Sequence, residues 1–383
     1  MRIVHVITRL IIGGAQENTL LTCEGLREKG HDVFLVSGPT TGPEGSLEPR
    51  ARDGGYPFEI VPSLVRQVSP SCDLRALFAL KRVFERLRPD VVHTHSSKAG
   101  VLGRIAAVRA RVPAIVHTIH GMSFNRTQPR WIRAAYAWAE RYCAKRCHAI
   151  VSVADAMTEQ ALNAGIGRPD KFQTIRSGID VADFDPRKYD RAAVRSEWGF
   201  GDDEVVVGTV ARLFFNKGYE QLIDVMQQSL AREPALRFVW IGDGAARHVY
   251  EAELERRGLR RHTLLTGLLP PEQMPRVLAG IDLLAHTSLW EGLPRAVVQA
   301  LLMRKPAVCF AIDGAPEVVI PGKTGRTAPL HDIAAFADAL VELAQDPRCL
   351  AEYGEAGRRL CLGQFDHHRM VEELIRLYSR IAV

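Results

Sequence analysis

No stretch of the sequence reaches the ~18–20 uninterrupted apolar residues that a membrane-spanning helix needs, so the pattern excludes an integral membrane helix. The first residues, MRIVHVITRL, run straight into a strand pattern. They contain no long apolar core ending in a small-residue cleavage site, and no signal peptide is expected. Cysteine is sparse. Seven cysteines in 383 residues are an odd number spread over a large chain, which argues against a disulfide framework and for a reducing, cytoplasmic setting. Cys143 and Cys147 stand one helical turn apart, but no second ligand pair follows at a useful spacing, so they read as ordinary helix cysteines. The first strand-to-helix turn lacks G-x-G-x-x-G, which counts against a nicotinamide or flavin enzyme. No paired carboxylates occur in a setting suited to glycoside hydrolysis. Short-period repeats and low-complexity tracts are also missing.

What is present is ordinary globular composition, 46% hydrophobic and 25% charged, in a chain long enough for two domains. Short β-branched apolar runs alternate with helical patterns. In the first half the strand candidates are 3–8, 33–37, 58–61, 91–95, 114–120, 149–153 and 172–177. In the second they are 205–211, 238–242, 263–266, 283–287 and 307–310. Helical stretches intervene, among them 15–29, 74–88, 130–145, 219–232 and 295–303. Strands alternating with helices imply a parallel sheet covered on both faces. The expected class is therefore α/β, with two Rossmann-like doubly wound domains. The charged, Pro186-containing stretch between about 180 and 204 breaks the apolar rhythm. Expected domains are 1–185 and 186–365, with 366–383 a terminal amphipathic helix packing back on the first domain. Ligands of open parallel sheets bind beyond the strands' carboxyl ends, so a cleft between the domains is the expected site.

Charge is uneven. Residues 1–190 hold 27 Lys/Arg against 19 Asp/Glu, and the remainder holds 23 against 25. Within 101–149 nine basic residues face one acidic residue, Glu140. Such a segment prefers a polyanion, an anionic membrane surface or a phosphate-bearing substrate. No nucleic-acid motif accompanies the charge, so no nucleic-acid partner is expected. Trp131, Tyr136, Trp138 and Tyr142 interleave with Arg130, Arg133 and Arg141, a composition suited to a membrane interface. Aromatic residues at helical spacing also pack into cores, and that alternative stands beside it.

Several strand ends carry chemistry. After 283–287 comes Ser288-Leu-Trp-Glu291-Gly292-Leu293-Pro294, with Gln299 further along the helix that Pro294 opens. After 205–211 comes Arg212-Leu-Phe-Phe-Asn-Lys217-Gly218. Arg212 and Lys217 put two cations at a strand end, and Gly218 before a helix leaves N–H groups for phosphate oxygens. Gly13-Gly14 form the turn after the first strand. His120 closes the strand Ile115-Val-His-Thr-Ile-His120. His93 and His95 share one strand face ahead of Lys98, with no third histidine or carboxylate nearby in sequence to complete a metal site.

This ordered series resembles the retaining glycosyltransferase family 4, also called glycosyltransferases group 1, whose members include sucrose synthases and lipopolysaccharide and mannosyl transferases. Further matches are Arg176-Ser177-Gly178-Ile179-Asp180, Ile241-Gly242-Asp243-Gly244, and Gly314-Ala-Pro316-Glu317 followed by Gly322 and Gly325. The family carries Glu, seven residues, then Glu; here Gln299 stands at the second position. The resemblance implies the two-Rossmann GT-B arrangement, an acceptor-binding amino-terminal half and a nucleotide-sugar-binding carboxy-terminal half. It places Glu291 beside the donor sugar and phosphates and Gln299 on the ribose. Arg212 and Lys217 go to the diphosphate, and Gly13, Gly14, Gly292 and Leu293 line the donor. His120, with Glu291, is a candidate catalytic residue. His95, in an acceptor-side or structural role, and Lys98 on the acceptor side are further candidates. The implied reaction moves a sugar from a nucleotide-diphosphate sugar to a glycan or polyprenyl-phosphate-linked acceptor, for cell-surface polysaccharide or lipopolysaccharide. No cofactor and no divalent metal are required; Asp183-Phe-Asp185 mimics a metal-binding Asp-x-Asp but lies in the linker. A nucleotide-sugar 2-epimerase and a non-catalytic nucleotide-sugar-binding protein are the alternatives.

Overall fold

The computed structural model describes residues 1–42, 44–125 and 127–382. Its strands are β1 (Arg2–Ile7), β2 (Asp32–Ser37), β3 (Phe58–Ile60), β4 (Val91–His95), β5 (Ala114–Ile119), β6 (Ala149–Ser152), β7 (Phe172–Thr174), β8 (Val205–Val210), β9 (Leu236–Ile241), β10 (Thr263–Gly267), β11 (Leu283–His286), β12 (Ala307–Phe310) and β13 (Gly325–Ala328). The helices are α1 (Gly14–Glu28), α2 (Glu48–Asp53), α3 (Pro70–Leu87), α4 (Ser97–Arg109), α5 (Arg130–Ala144), α6 (Asp155–Asn163), α7 (Arg191–Trp198), α8 (Tyr219–Leu230), α9 (Arg247–Arg256), α10 (Met274–Gly280), α11 (Arg295–Leu302), α12 (Ile333–Ala344), α13 (Pro347–Gln364) and α14 (His367–Ile381).

Seven strands form one parallel sheet in the order β3-β2-β1-β4-β5-β6-β7, and six form a second in the order β10-β9-β8-β11-β12-β13. Central strands such as β4, β5 and β6 are buried along their whole length. That burial on both faces explains why they lack the apolar/solvent-facing alternation of a half-exposed strand, and it takes the polar His93, Thr94 and His95 of β4 into the interior. Both units are doubly wound and Rossmann-like, and in each the strand order reverses at one point. In the first the reversal lies between β1 and β4, in the second between β8 and β11. A doubly wound sheet opens a crevice at such a point, beyond the strands' carboxyl ends.

One compact unit comprises Met1–Ile179 and the chain from His367 onward; the other is Asp180–Asp366. The first division falls at Ile179, ahead of the expected Asp185, for a local reason. The His367 N–H donates to the Ile179 carbonyl at 3.1 Å, and a Cβ on Gly178 would come within 2.5 Å of the His367 Cα. The strand leaving the first unit and the helix returning to it are thus fastened together. Helix α14 docks on α1 through Met370, Val371, Leu374, Leu377 and Tyr378, all buried at helical spacing. Gly25 permits the close approach, because a Cβ there would meet Val371 Cγ2 at 2.7 Å. No helix among the described residues is long and apolar enough to cross a membrane.

Candidate functional site

In the second unit, the loops after β8 and β11 are stitched together at the reversal point. The Leu289 N–H donates to the Asn216 carbonyl at 3.2 Å, and the Thr287 hydroxyl donates to the Lys217 carbonyl at 3.3 Å. Gly218 makes this junction possible. Its φ is +70°, and a Cβ would lie 1.9 Å from the Thr287 carbonyl oxygen, so no other residue fits. It also starts α8 without a side-chain cap, which leaves first-turn N–H groups without intrahelical acceptors.

Across this junction the Lys217 ammonium donates to Glu291 Oε1 at 2.6 Å, with both side chains under a fifth exposed. His286 Nε2 lies 3.4 Å from the same oxygen. Burial works to raise the Glu291 carboxyl, but the Lys217 charge and His286 outweigh it and hold the group far below the usual carboxylate range. Glu291 is therefore ionised, and Lys217 keeps donor capacity beyond this one bond. The Glu291 N–H donates to Asp313 Oδ2 at 2.7 Å, and the Gly314 N–H donates to the Gly292 carbonyl at 3.0 Å. Asp313 holds φ +47°, a conformation that costs a non-glycine residue energy and clusters at functional sites. Leu293 is buried. Gln299 is half-buried on α11. Arg212 is partly exposed beside this loop, its guanidinium carbon 5.0 Å from the Phe214 ring centre. Asp185, of the Asp-x-Asp lookalike, accepts from the Arg187 backbone at 3.1 Å and from its guanidinium; it is a turn residue.

In the first unit, Gly13 and Gly14 open α1 after β1, again without a side-chain cap. Gly13 has φ 177°, which any residue adopts, so its absent side chain matters for space at the helix start rather than for conformation. Across the reversal point, Thr8 Oγ1 and Ser96 Oγ are 2.7 Å apart, and the Ala99 N–H donates to Thr8 Oγ1 at 3.1 Å. Ser96 has φ +62° and ψ 163°, a strained backbone between β4 and α4. His120 stands at the end of β5, with Nε2 3.0 Å from His95 Nδ1.

The sequence offered no third histidine near His93 and His95, but the sheet does. β1 pairs with β4 and sets His5 opposite His93. The three rings are buried, with centres 4.4 to 5.3 Å apart, and His95 stacks on both others. Most of their ring nitrogens are engaged in hydrogen bonds, His5 Nε2 being the exception. His93 contacts the Tyr378 hydroxyl at 2.5 Å and the Thr118 hydroxyl at 2.6 Å. His5 Nδ1 contacts His95 Nε2 at 3.0 Å. His95 is 1% exposed and its Nδ1 contacts His120 Nε2, a buried position that suits a structural role better than contact with an acceptor. Lys98 is also committed. Its ammonium donates to Asp73 Oδ1 at 2.6 Å and to the Gln67 carbonyl, tying α4 to the start of α3. His5, Thr8, Ser96, His286 and Asp313 were not singled out from the sequence. Only strand register and loop contact bring them to the sites.

Within the basic segment, α5 turns one face to solvent. Trp131 and Trp138 are 73% and 66% exposed, so core packing does not account for them. They share an exposed stripe of α5 with Ala135 and Tyr142, bordered by Arg130, Arg141 and Lys145. Glu140 is turned inward to Arg104, 2.6 Å away and buried, so the segment's single carboxylate does not offset the surface charge.

Two family models cover most of the chain. The model described as glycosyl transferases group 1 matches residues 190–360, and the glycosyl transferase 4-like domain matches residues 13–178. The UDP-Gal:alpha-D-GlcNAc-diphosphoundecaprenol alpha-1,3-galactosyltransferase of Escherichia coli is 28% identical, covering 100% of this chain and 98% of its own. The GDP-mannose-dependent alpha-mannosyltransferase of Mycobacterium tuberculosis is 26% identical over 92% of this chain and 89% of its own. Among solved structures, Anabaena HepE in complex with UDP-glucose superposes with a TM-score of 0.84 at 22% identity, covering 99% of this chain and 100% of that one. The sucrose-phosphate synthase of Thermosynechococcus elongatus gives 0.83 at 17% identity, with 99% of both chains covered.

Proposed function

The chain belongs to the group 1 glycosyl transferases, and from that premise we propose that it moves a sugar, with retention, from a nucleoside-diphosphate sugar to a polyprenyl-phosphate-linked glycan. The observation that carries the donor half is the Lys217–Glu291 pair, 2.6 Å apart at the reversal point of the second unit. As the bond between the anomeric carbon and the diphosphate breaks, negative charge grows on the leaving phosphate. Lys217, Arg212 and the open N–H groups at the start of α8 stabilise it. Glu291 fixes the Lys217 ammonium while leaving it donors for phosphate. Gln299 takes the ribose, and Gly292 and Leu293 line the sugar. In the first unit, Gly13 and Gly14 carry backbone N–H groups of a kind suited to phosphate oxygens, and His120 a ring nitrogen suited to a sugar hydroxyl. The acceptor hydroxyl attacks the anomeric carbon and its proton passes to the departing phosphate oxygen, so no carboxylate nucleophile is needed. The charge balance is met by side chains, without a divalent cation.

The lipid-linked acceptor is supported by α5. Exposed tryptophans bordered by arginine and lysine suit the interface of an anionic bilayer, and the chain would work from the cytoplasmic face. The full-length E. coli relative names a diphosphoundecaprenol acceptor, which agrees with that chemistry.

The deciding experiment incubates the protein with a panel of labelled UDP- and GDP-sugars, with and without a polyprenyl-diphosphate-linked N-acetylhexosamine in detergent. Transfer of label to the lipid with one donor is expected. A sugar altered without acceptor would instead establish an epimerase, and binding without turnover would establish a non-catalytic protein.

A further inference from the structure

Behind His120 lies a line of imidazoles. His5 Nδ1 is 3.0 Å from His95 Nε2, and His95 Nδ1 is 3.0 Å from His120 Nε2. His5 and His95 are buried. Desolvation pulls His5 down to about 3 and His95 well below its ordinary value, so both rings are neutral near pH 7. A neutral imidazole carries one N–H and one acceptor nitrogen. Each contact in the line therefore needs a donor on one side and a lone pair on the other.

Only two arrangements satisfy both contacts. In the first, His5 Nδ1–H donates to His95 Nε2 and His95 Nδ1–H donates to His120 Nε2, which puts the His120 proton on Nδ1. In the second, every donor is reversed: His120 carries Nε2–H, and His5 carries its proton on Nε2. His5 Nε2 decides between them, because it is buried and has no hydrogen-bond partner. The first arrangement leaves a lone pair there. The second leaves a buried N–H without an acceptor, which is rarer in proteins than an unused acceptor.

We propose that His5 and His95 are positioning residues that hold His120, at the end of β5, in its Nδ1–H tautomer. His93 sits in the same stack but outside this line, since Thr118 and Tyr378 take its two nitrogens. The proposal rests on the reading of His120 as a group that touches sugar; the tautomer itself does not depend on that reading.

The test uses the full chain labelled with 15N-histidine. Two-bond 1H–15N spectra near pH 7.5 report which ring nitrogen carries the proton, and the His120 signals are assigned by their loss in His120→Asn. The expected parent spectrum shows the Nδ1–H pattern for His5, His95 and His120. An Nε2–H pattern for His120 overturns the proposal, and the parent spectrum decides this even if a variant fails to fold. In His5→Asn the amide N–H2 stands where Nδ1–H stood and still donates to His95, so the His120 tautomer and kcat should be kept within about twofold. His5→Leu cannot donate. There the His120 tautomers should mix and kcat should fall about tenfold, the worth of one positioned hydrogen bond, with donor KM unchanged. A His120 tautomer unaffected by His5→Leu also overturns the role of His5. A tautomer that shifts while kcat stays constant leaves the line intact and removes His120 from the reaction.

Discussion

The backbone N–H of Glu291 donates to the Asp313 carboxylate at 2.7 Å, and Asp313 makes that bond from a left-handed backbone with φ +47°. Strain of this kind costs about 1 kcal/mol or more and is maintained here against a contact that fixes the Glu291 loop. Asp313→Gly relieves the strain and deletes the carboxylate. Its melting temperature should match or exceed the parent's, while kcat/KM falls about tenfold. Asp313→Asn keeps an acceptor oxygen and should retain more activity than Asp313→Gly. Full activity in Asp313→Gly would mean that other contacts place Glu291.

Lys217 and Glu291 are mutually dependent, and their loss should separate into different kinetic signatures. In the proposed reading Lys217→Ala removes a charge-assisted contact to the diphosphate worth ~1.5–3 kcal/mol, so kcat/KM for donor should drop about ten- to hundredfold. Glu291→Gln still accepts from Lys217 but leaves the ammonium without a counter-ion; it should lower kcat more than it raises donor KM. In the parent, turnover should survive excess EDTA. Loss of activity with chelator and its recovery with manganese would show that a metal, not these side chains, carries the leaving-group charge.

In the proposed reading Gln299 takes the ribose, at the position where the resemblance places a second glutamate. An amide offers one acceptor and one donor group, so it can still bond a hydroxyl pair, without the charge that roughly doubles such a bond. Gln299→Glu should keep or tighten donor binding, and Gln299→Ala should raise donor KM several-fold with little change in kcat, since the ribose is remote from the breaking bond. An unchanged donor KM in Gln299→Ala would remove this residue from the ribose.

The two-unit plan was legible because each strand is a short buried run between helical patterns, and motifs at strand ends need no tertiary information to be found. Glu291, Lys217 and His120 stand at such ends. The partners that define their chemistry were not legible. His5 meets His95 only through the register of β1 against β4. Asp313 meets Glu291 only where the loop after β12 crosses the loop after β11. Lys98 looked like a binding group until its ammonium was found on Asp73, a contact between helices that no spacing rule encodes.

Trp131 and Trp138 are exposed, so replacing them tests the surface rather than the fold. Trp131→Ala/Trp138→Ala should leave the melting temperature within the range of neutral surface changes, about 0.5 kcal/mol. Binding to vesicles containing anionic lipid should weaken about tenfold or more, measured by sedimentation at low salt, because each indole supplies large interfacial area. Transfer to a water-soluble acceptor analogue should be unaffected. Equal vesicle binding by the variant and the parent would sink the membrane assignment of α5 and leave the transferase intact.

Lys305 gives a pH signature confined to the second unit. It follows α11 and is partly buried. Burial pulls its ammonium down to about 8 from 10.5; Asp282 opposes that shift, while Arg191 and Arg195 add to it. Those arginines already hold Asp282: Arg191 lies 3.1 Å away, and Arg195 donates to its other oxygen. Below pH 8 the lysine is charged in both folded and unfolded chains, and the folded state bears the cost of that buried charge. Between about 8 and 10.5 the folded chain gives up its proton first. The unfolded chain then binds more protons, and stability rises with pH. Lys305→Met should therefore be more stable than the parent at pH 7, by about 1–3 kcal/mol, with the difference shrinking toward pH 10.5. Urea midpoints for both proteins at pH 7, 9 and 10.5 measure this directly. A less stable Lys305→Met at pH 7 would mean that Asp282 holds the lysine charged at a net gain, and the sign of the shift would be reversed.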